Sequence, residues 1–391
     1  MITTINQRRN KVKNYKLFIP EENIDPKALH QFHEAMEQEC IVQGALMPDV
    51  HAGYSLPIGG VVASKGFIFP CFVGYDIGCG VAGVKLPIKK GDVEALGQAI
   101  YDEILDTIPI GFKHNEKWSK WDYSNIPITE VMTNIFHEKG GLKQLCSMGG
   151  NNHFIELGYD ENDDVWATTH TGSRGVGHAL ATHYMRIAGG GKAREGCFSL
   201  DVESQDGKDY ITDLNFCLEF ALENRKQIIQ RVINAVEKVL STKFKPFNLN
   251  DEKVFINRNH NHAELKDGLW IHRKGATHAE KGMRGIIPGN RRDGLFVVEG
   301  LGNPDSLYSS SHGAGRIKGR KQARQDLNLD DYISTMKGIV GEVSDATLEE
   351  APEAYKNIFE VMEMQKELVT VKHHVKPLIN VKACKPIKNK K

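Results

Sequence analysis

Across 391 residues, 50 Lys plus Arg balance 50 Asp plus Glu, so no overall basicity marks a nucleic-acid binder and any RNA contact must come from local patches. Seven cysteines without a CxxC pair, in a chain long enough to bury its own core, argue against a disulfide framework and for a reducing cytoplasm. There is no run of 18 apolar residues, and no apolar stretch follows Arg8-Arg9, so neither a membrane span nor a twin-arginine leader is expected.

Taken in chain order, the start is basic, with Arg8, Arg9, Lys11, Lys13 and Lys16. Asp25-Pro26 then sets a helix N-cap and first turn, and Leu29, Phe32 and Met36 give one apolar face at helical spacing. Asp49 and His51 alternate with apolar residues, as strand residues sharing a face would, ahead of a strand-like Val61-Val62-Ala63. A glycine-framed turn, Gly74-Tyr75-Asp76-Ile77-Gly78-Cys79-Gly80, leads into a buried strand from Val81 to Leu86. Residues 92 to 108 read as an amphipathic helix capped by Asp92. Trp118, Trp121 and Tyr123, with Lys117 and Lys120, could stack on bases, but the favoured reading is a surface loop anchored by its aromatics.

His153 and Phe154 begin a strand at a glycine turn, and His170-Thr171-Gly172-Ser173-Arg174-Gly175 opens a helix through Ala188 whose first amides and Arg174 suit an oxyanion. Neither this turn nor Gly189-Gly190-Gly191-Lys192 has Rossmann or P-loop spacing. A continuous apolar stripe predicts one long helix over 213 to 241. Strands at 254–256, 269–271 and 295–298 carry or precede histidines at 260, 262, 272 and 312. A helix around 354–368 and a strand at 378–381 end the pattern before a basic tail. Without repeat or linker, the chain reads as one compact α+β unit over 1–391 with basic tails at about 1–16 and 383–391.

Asp76, Cys79, His153, His170 and His260, with His262 as a further candidate, could reach one pocket, and nearly all sit at the ends of expected strands beside glycine or asparagine. A thiolate with imidazoles and a carboxylate suits a borderline transition metal rather than Mg²⁺ or Ca²⁺, and more than four ligands without CxxC or HxxxH pairing fit a two-metal site sharing the thiolate. The competing reading is a set of core histidines satisfied by backbone. His312, in Ser311-His312-Gly313-Ala314-Gly315-Arg316, has small neighbours that admit a phosphate and an arginine to neutralise it. Three roles stay open for it: covalent nucleophile at an α-phosphate, phosphate-binding histidine, or further ligand.

Six segments in order carry a resemblance: Asp49-Val50-His51-Ala52-Gly53, Asp76-Ile77-Gly78-Cys79-Gly80, Asn152-His153-Phe154, His170 to Gly175, His272 to Thr277 and His312 to Arg316. They resemble the RtcB family of GTP-dependent RNA ligases over about residues 45 to 383. The resemblance implies a single RtcB-like catalytic domain with mixed and antiparallel sheets flanked by helices, and a site for two Mn²⁺ ions. By position, Cys79 would bridge the metals, His170 and His260 would complete one, and Asp76 and His153 the other. His312 matches the histidine guanylylated by GTP. Asn152, Glu156, Asn261, Ala314, Gly315 and Arg316 match positions around the guanylate, Tyr355 and Lys382 resemble guanine contacts, and Arg174 resembles a phosphate-binding arginine.

The implied reaction joins an RNA 3′-phosphate, or a 2′,3′-cyclic phosphate hydrolysed first, to a 5′-hydroxyl, and leaves open whether a helper protein promotes guanylylation. The sequence departs from the family at Pro288-Gly289-Asn290-Arg291-Arg292-Asp293-Gly294, and His278 stands where an arginine is common. These departures suggest a divergent branch serving RNA repair rather than routine tRNA splicing. The alternatives are a GTP-independent two-metal phosphodiesterase or cyclic phosphatase acting on RNA ends, and a non-catalytic RNA-binding protein.

Overall fold

Strands buried on both faces build two large sheets, beside two two-stranded pairs. In a computed structural model that describes residues 14–191 and 196–383, a five-stranded sheet runs Asn14–Leu17, Ile41–Tyr54, Leu56–Ser64, Leu269–Lys274, Asn261–Lys266, antiparallel except for its first pair. Val62 faces a core made with Phe32 and Phe72, whereas Val61 and Ala63 face Ile287, Phe296 and Val361, as the period of two requires. The helix Pro26–Met36 covers the first face, and Asp25 caps it by accepting a hydrogen bond from the Lys27 amide at 2.8 Å.

The second sheet has seven antiparallel strands in the order Arg284–Pro288, Leu295–Gly300, Val369–Val381, Phe154–Tyr159, Asp164–Thr171, Gly80–Lys89, Phe255–Asn259. It curls until its edges meet: Arg258 on one edge strand donates Nε–H to the Arg284 carbonyl on the other, at 3.1 Å. Val81, Trp166, Ile286 and Val375 fill the inside of the curl. Outside it, Val84, Leu157 and Ala167 pack on Ile229, Val232 and Val236 of the long helix Gln205–Val239. That helix starts eight residues before the expected stripe, where Ser204 Oγ accepts from the Gly207 amide.

Three expectations need correction. The helix over 92–108 divides into Lys90–Glu94 and Gly97–Thr107; Gly97 interrupts it, Leu96 of the apparent stripe is 40% exposed, and Asp92 completes a capping box instead of occupying the N-cap. The helix around 354–368 shortens to Ile358–Met364, because Tyr355 is extended and bridges to Arg316. The closing strand lengthens to Val369–Val381. Short helices Glu130–Glu138, Arg320–Asp326 and Leu329–Thr335 had no counterpart in the sequence reading. Trp121 and Tyr123 do anchor their loop, packing edge-on against Phe216, Phe220 and Phe136. Most of the two basic tails, and Lys192, lie outside the described residues.

Candidate metal centre and nucleotide cleft

Strand register assembles the centre. Val81 pairs with His170, Phe154 pairs with His170, and Gly80 pairs with both Thr171 and Asn259, so Cys79, His153, His170 and His260 all fall at one end of four adjacent strands. The His260 amide donates to the Cys79 carbonyl at 2.7 Å. Cys79 Sγ then lies 3.2 Å from both His153 Nε2 and His170 Nε2. His170 Nε2 is 2.9 Å from His260 Nε2, and Asp76 Oδ2 is 2.9 Å from His153 Nε2. All five expected ligands therefore converge, with Cys79 between the two halves.

Arg225, fully buried on the long helix, holds the backbone of this centre. Its Nη1 donates to the carbonyls of Gly78 at 2.6 Å and Thr171 at 2.9 Å, and Asn257 and Asn259 receive its remaining donors. Burial, then the adjacent Asp76 carboxylate, push the Cys79 thiol well above its ordinary range. Burial and neighbouring imidazoles hold His170 and His260 well below theirs, which keeps both rings neutral and able to bind a cation. For Asp76 burial opposes ionisation, but the charge and hydrogen bond of His153 outweigh it and the carboxyl sits low. Two imidazole nitrogens 2.9 Å apart, a sulfur 3.2 Å from one of them and a carboxylate on the neighbouring histidine are a donor set that a shared cation would satisfy, so the residues fit a transition metal.

His312 stands at the edge of the centre, its ring centroid 4.7 Å from that of His260. Its Nδ1 meets Asp49 Oδ2 at 2.6 Å, and its own amide donates to the same oxygen at 3.1 Å. Asp49 is fully buried, so the imidazole is fixed with Nδ1–H on the carboxylate and Nε2 as the acceptor. A cleft of about 570 Å³ opens from His312, bordered by Asn152, Glu156, Ala314, Gly315, Arg316, Tyr355 and Lys382. Three of these meet on one buried carboxylate: Glu350 takes Arg316 at 3.2 Å, Tyr355 at 2.6 Å and Lys382 at 2.8 Å. Burial lifts Glu156 to about 8; Asn380 donates to its Oε2 at 2.7 Å while Oε1 is buried without a partner.

Two expected site residues lie off the lining of the cleft. Asn261 does not border the cleft; it braces the Asp76 turn, donating to the Asp76 carbonyl at 3.2 Å and accepting from the Gly275 amide at 2.8 Å. Arg174 and His153 both crowd the α-carbon of Gly149, and the charge of Arg174 is felt by Asp76; its Nε donates to Ser147 Oγ at 3.1 Å and its Nη2 to the Gly111 carbonyl, and the Gly175 amide is taken by Gln144. His262 turns away from the centre, stacks on His278 at 4.6 Å and meets Arg273 Nη1 at 3.0 Å, so it is not a sixth ligand. His272 is a core histidine accepting from the Phe69 amide.

Sequence reasoning missed Asp49, Glu350, Asn380 and Arg225 as site residues. One physical signal existed for Glu350: buried Arg316 and Lys382 need a counter-anion. In the departing segment, Arg291 is buried, donates Nε–H to Asn380 Oδ1 at 3.0 Å and reaches the Tyr332 hydroxyl, so it props the Asn380–Glu156 pair from behind.

Fold and donor set define a class: an α+β protein whose strand ends gather a cysteine–histidine group that could hold a metal ion, beside a histidine paired with a buried carboxylate and a cation-lined cleft. The family model described as "tRNA-splicing ligase RtcB" matches residues 31–139 and 129–383, and the chain belongs to the RtcB family. It is 32% identical to RNA-splicing ligase RtcB1 of Escherichia coli strain ATCC 25922 over 369 residues, covering 86% of this chain and 89% of that one. RNA-splicing ligase RtcB of E. coli K12 is 31% identical with the same coverage, and tRNA-splicing ligase RtcB of Thermococcus kodakarensis is 28% identical over 82% of this chain and 83% of its own.

Proposed function

We propose that this protein is an RNA ligase that joins a 3′-phosphate or 2′,3′-cyclic phosphate end to a 5′-hydroxyl end, with GTP as co-substrate. The observation that carries this reading is His312: a histidine oriented by a buried carboxylate, beside the metal centre, at the mouth of a cation-lined cleft. A hydrolase needs no such nucleotide carrier. Asp76 and His153 would hold one Mn²⁺, His170 and His260 the other, with Cys79 between them. When bound, the metals act as Lewis acids on phosphoryl oxygens and neutralise developing charge.

The chain's own groups do the rest. Asp49 keeps the proton on Nδ1, so Nε2 of His312 presents its lone pair to the α-phosphorus of GTP; the N–P bond forms as the bond to pyrophosphate breaks. Ala314, Gly315 and Arg316 lie along the nucleotide, and Asn152 borders it. Glu156 Oε1, Tyr355 and Lys382 form the end of the cleft that takes the guanine. A 2′,3′-cyclic phosphate is first opened by water to the 3′-phosphate; an oxygen of the 3′-phosphate then takes GMP as the N–P bond to His312 breaks, the 5′-hydroxyl oxygen attacks the activated 3′-phosphorus, and GMP leaves. Arg174 holds a phosphate of the RNA end. We assign the protein to RNA repair in the cytoplasm, as one catalytic domain. Among the described residues no helix is long and apolar enough to cross a membrane.

The test is incubation with Mn²⁺ and α-labelled GTP. An acid-labile, base-stable protein adduct is expected, and it should be absent from His312→Ala. Wild type that binds the metal and never labels would sink the ligase reading and leave a metal-dependent phosphodiesterase. Equal labelling of His312→Ala would remove His312 as the nucleophile.

A further inference from the structure

A ligase must hold RNA as well as a nucleotide, and the contacts at the centre run in a row. His312 touches His260, His260 meets His170, His170 and His153 share Cys79, and His153 and Arg174 crowd the same glycine, Gly149. The nucleotide cleft occupies the His312 end. At the Arg174 end, Nη2 of that arginine grips the Gly111 carbonyl, and Gly111 begins a loop with an unusual display.

Phe112 is 93% exposed and Trp118 is 61% exposed. Single exposed apolar residues are ordinary on a protein surface. This pair is different because the loop is fixed from below. The Asn115 amide donates to the Lys143 carbonyl at 3.0 Å, Asn115 Nδ2 to the Leu145 carbonyl at 2.7 Å, and the Ser119 amide to the Leu142 carbonyl at 3.0 Å. Arg231 reaches up from the long helix to Asn115 Oδ1 at 2.9 Å. With residues 111, 115 and 119 turned inward, Phe112-Lys113-His114 and Glu116-Lys117-Trp118 are held outward as two exposed triplets. Lys113 and Lys117 lie within them against one carboxylate, Glu116.

The geometry points to this loop as a subsite for single-stranded RNA: Phe112 stacks on a base near the phosphate-bearing end while Lys113 and Lys117 contact the backbone phosphates. Stacking is open to any base, and a positively charged neighbourhood tracks the strand, which is the chemistry of sequence-tolerant single-strand binding. Hydrogen bonds that order the loop before RNA arrives reduce the entropy lost on binding. Trp118 extends the same surface by one more ring. Continuity with Arg174 sets the direction, since the strand leaving the loop reaches the His153 side of the centre, away from the nucleotide. This inference rests on the RNA-ligase reading for its choice of occupant.

The experiment measures binding of a short 3′-phosphate RNA to the full chain by fluorescence anisotropy, with an abasic site placed in turn at each of the last three nucleotides. In the wild type, loss of one particular base should weaken binding roughly 5- to 150-fold. In Phe112→Ala the intact RNA should bind that much more weakly, and the same abasic site should then cost nothing further. A merely structural role for Phe112 would leave the abasic penalty in place, so an equal penalty in both proteins overturns the proposal. Lys113→Ala with Lys117→Ala should flatten the dependence of log K on log salt by about 1.4, at roughly 0.7 per phosphate contact. An unchanged slope removes the lysines from the subsite. Unaltered RNA binding in Phe112→Ala, together with loss of association with another protein, would make the loop a protein-docking surface and overturn the RNA assignment. Failure of His312 to label with GTP, with base-dependent RNA binding through Phe112 intact, would sink the ligase reading and spare this one.

Discussion

In the proposed two-metal reading both halves of the centre depend on Cys79, whose sulfur lies 3.2 Å from an expected ligand on each side. Cys79→Ala should therefore lose both metals, whereas Asp76→Ala, which touches only the His153 half, should weaken mainly one; metal content after dialysis reads the difference. Full metal content in Cys79→Ala would return the thiol to a packing role. Asp49→Asn tests the orientation of His312. An amide of the same size keeps the backbone contact but no longer favours the Nδ1–H tautomer, so guanylylation should slow on the order of 10⁴-fold with the fold intact. Glu156 gives a pH signature. Its carboxyl is raised by burial from 4.5 to about 8, so between those values the folded state holds a proton that the unfolded state has released. Its contribution to stability is present below pH 4.5, declines as pH rises through that window and is lost above about 8. Glu156→Gln should flatten the denaturation free energy across the same range, and an unchanged slope would place the titration elsewhere.

At the scale of elements, the convergence of the expected ligands was legible because nearly all of them mark strand ends near glycine or asparagine, and strand register then brings four such ends together. The sequence could not show how close the strands come. Gly74 and Gly78 do adopt positive φ, at 91° and 68°, as a bending turn needs. Gly80 is required for another reason: a Cβ there would run into the carbonyl of Arg258 on the paired strand, and backbone cannot yield as a side chain can. Gly80→Ala should cost 3 kcal/mol or more, about the upper range for a packed site, and strip the metal. Gly91, in the short helix Lys90–Glu94, has no atom within 4 Å of the same added carbon. Gly91→Ala should instead stabilise by about 0.4–1 kcal/mol through the unfolded chain. Urea titration of the two variants separates these outcomes. Helical periodicity failed where a local break overrode it: Gly97 parts one helix, and extended Tyr355 ends another in order to reach Glu350.

At the scale of the whole molecule, what escaped the sequence is pairing across long separations. Asp49 and His312 are 263 positions apart, and Glu350 gathers Arg316 and Lys382 from either side. Local pattern carries no information on such contacts. Only a cluster of buried cations lacking an anion hints that one exists. The same separations lead to a thermodynamic expectation. Metal ligands come from residues 76 to 260, and the histidine they serve lies on a segment that pairs with Ala276–His278, between strands of the two sheets. A fragment holding half the chain would present at most part of the centre. If the chain is one catalytic unit, metal bound at Cys79 stabilises all of it, by about 2.7 kcal/mol at a free concentration 100 times Kd. Calorimetry should then show one unfolding transition that moves up by a few degrees with Mn²⁺ in the wild type and stays fixed in Cys79→Ala. Two transitions, of which only one responds to Mn²⁺, would show that the sheets unfold separately and that the centre stabilises the curled sheet alone.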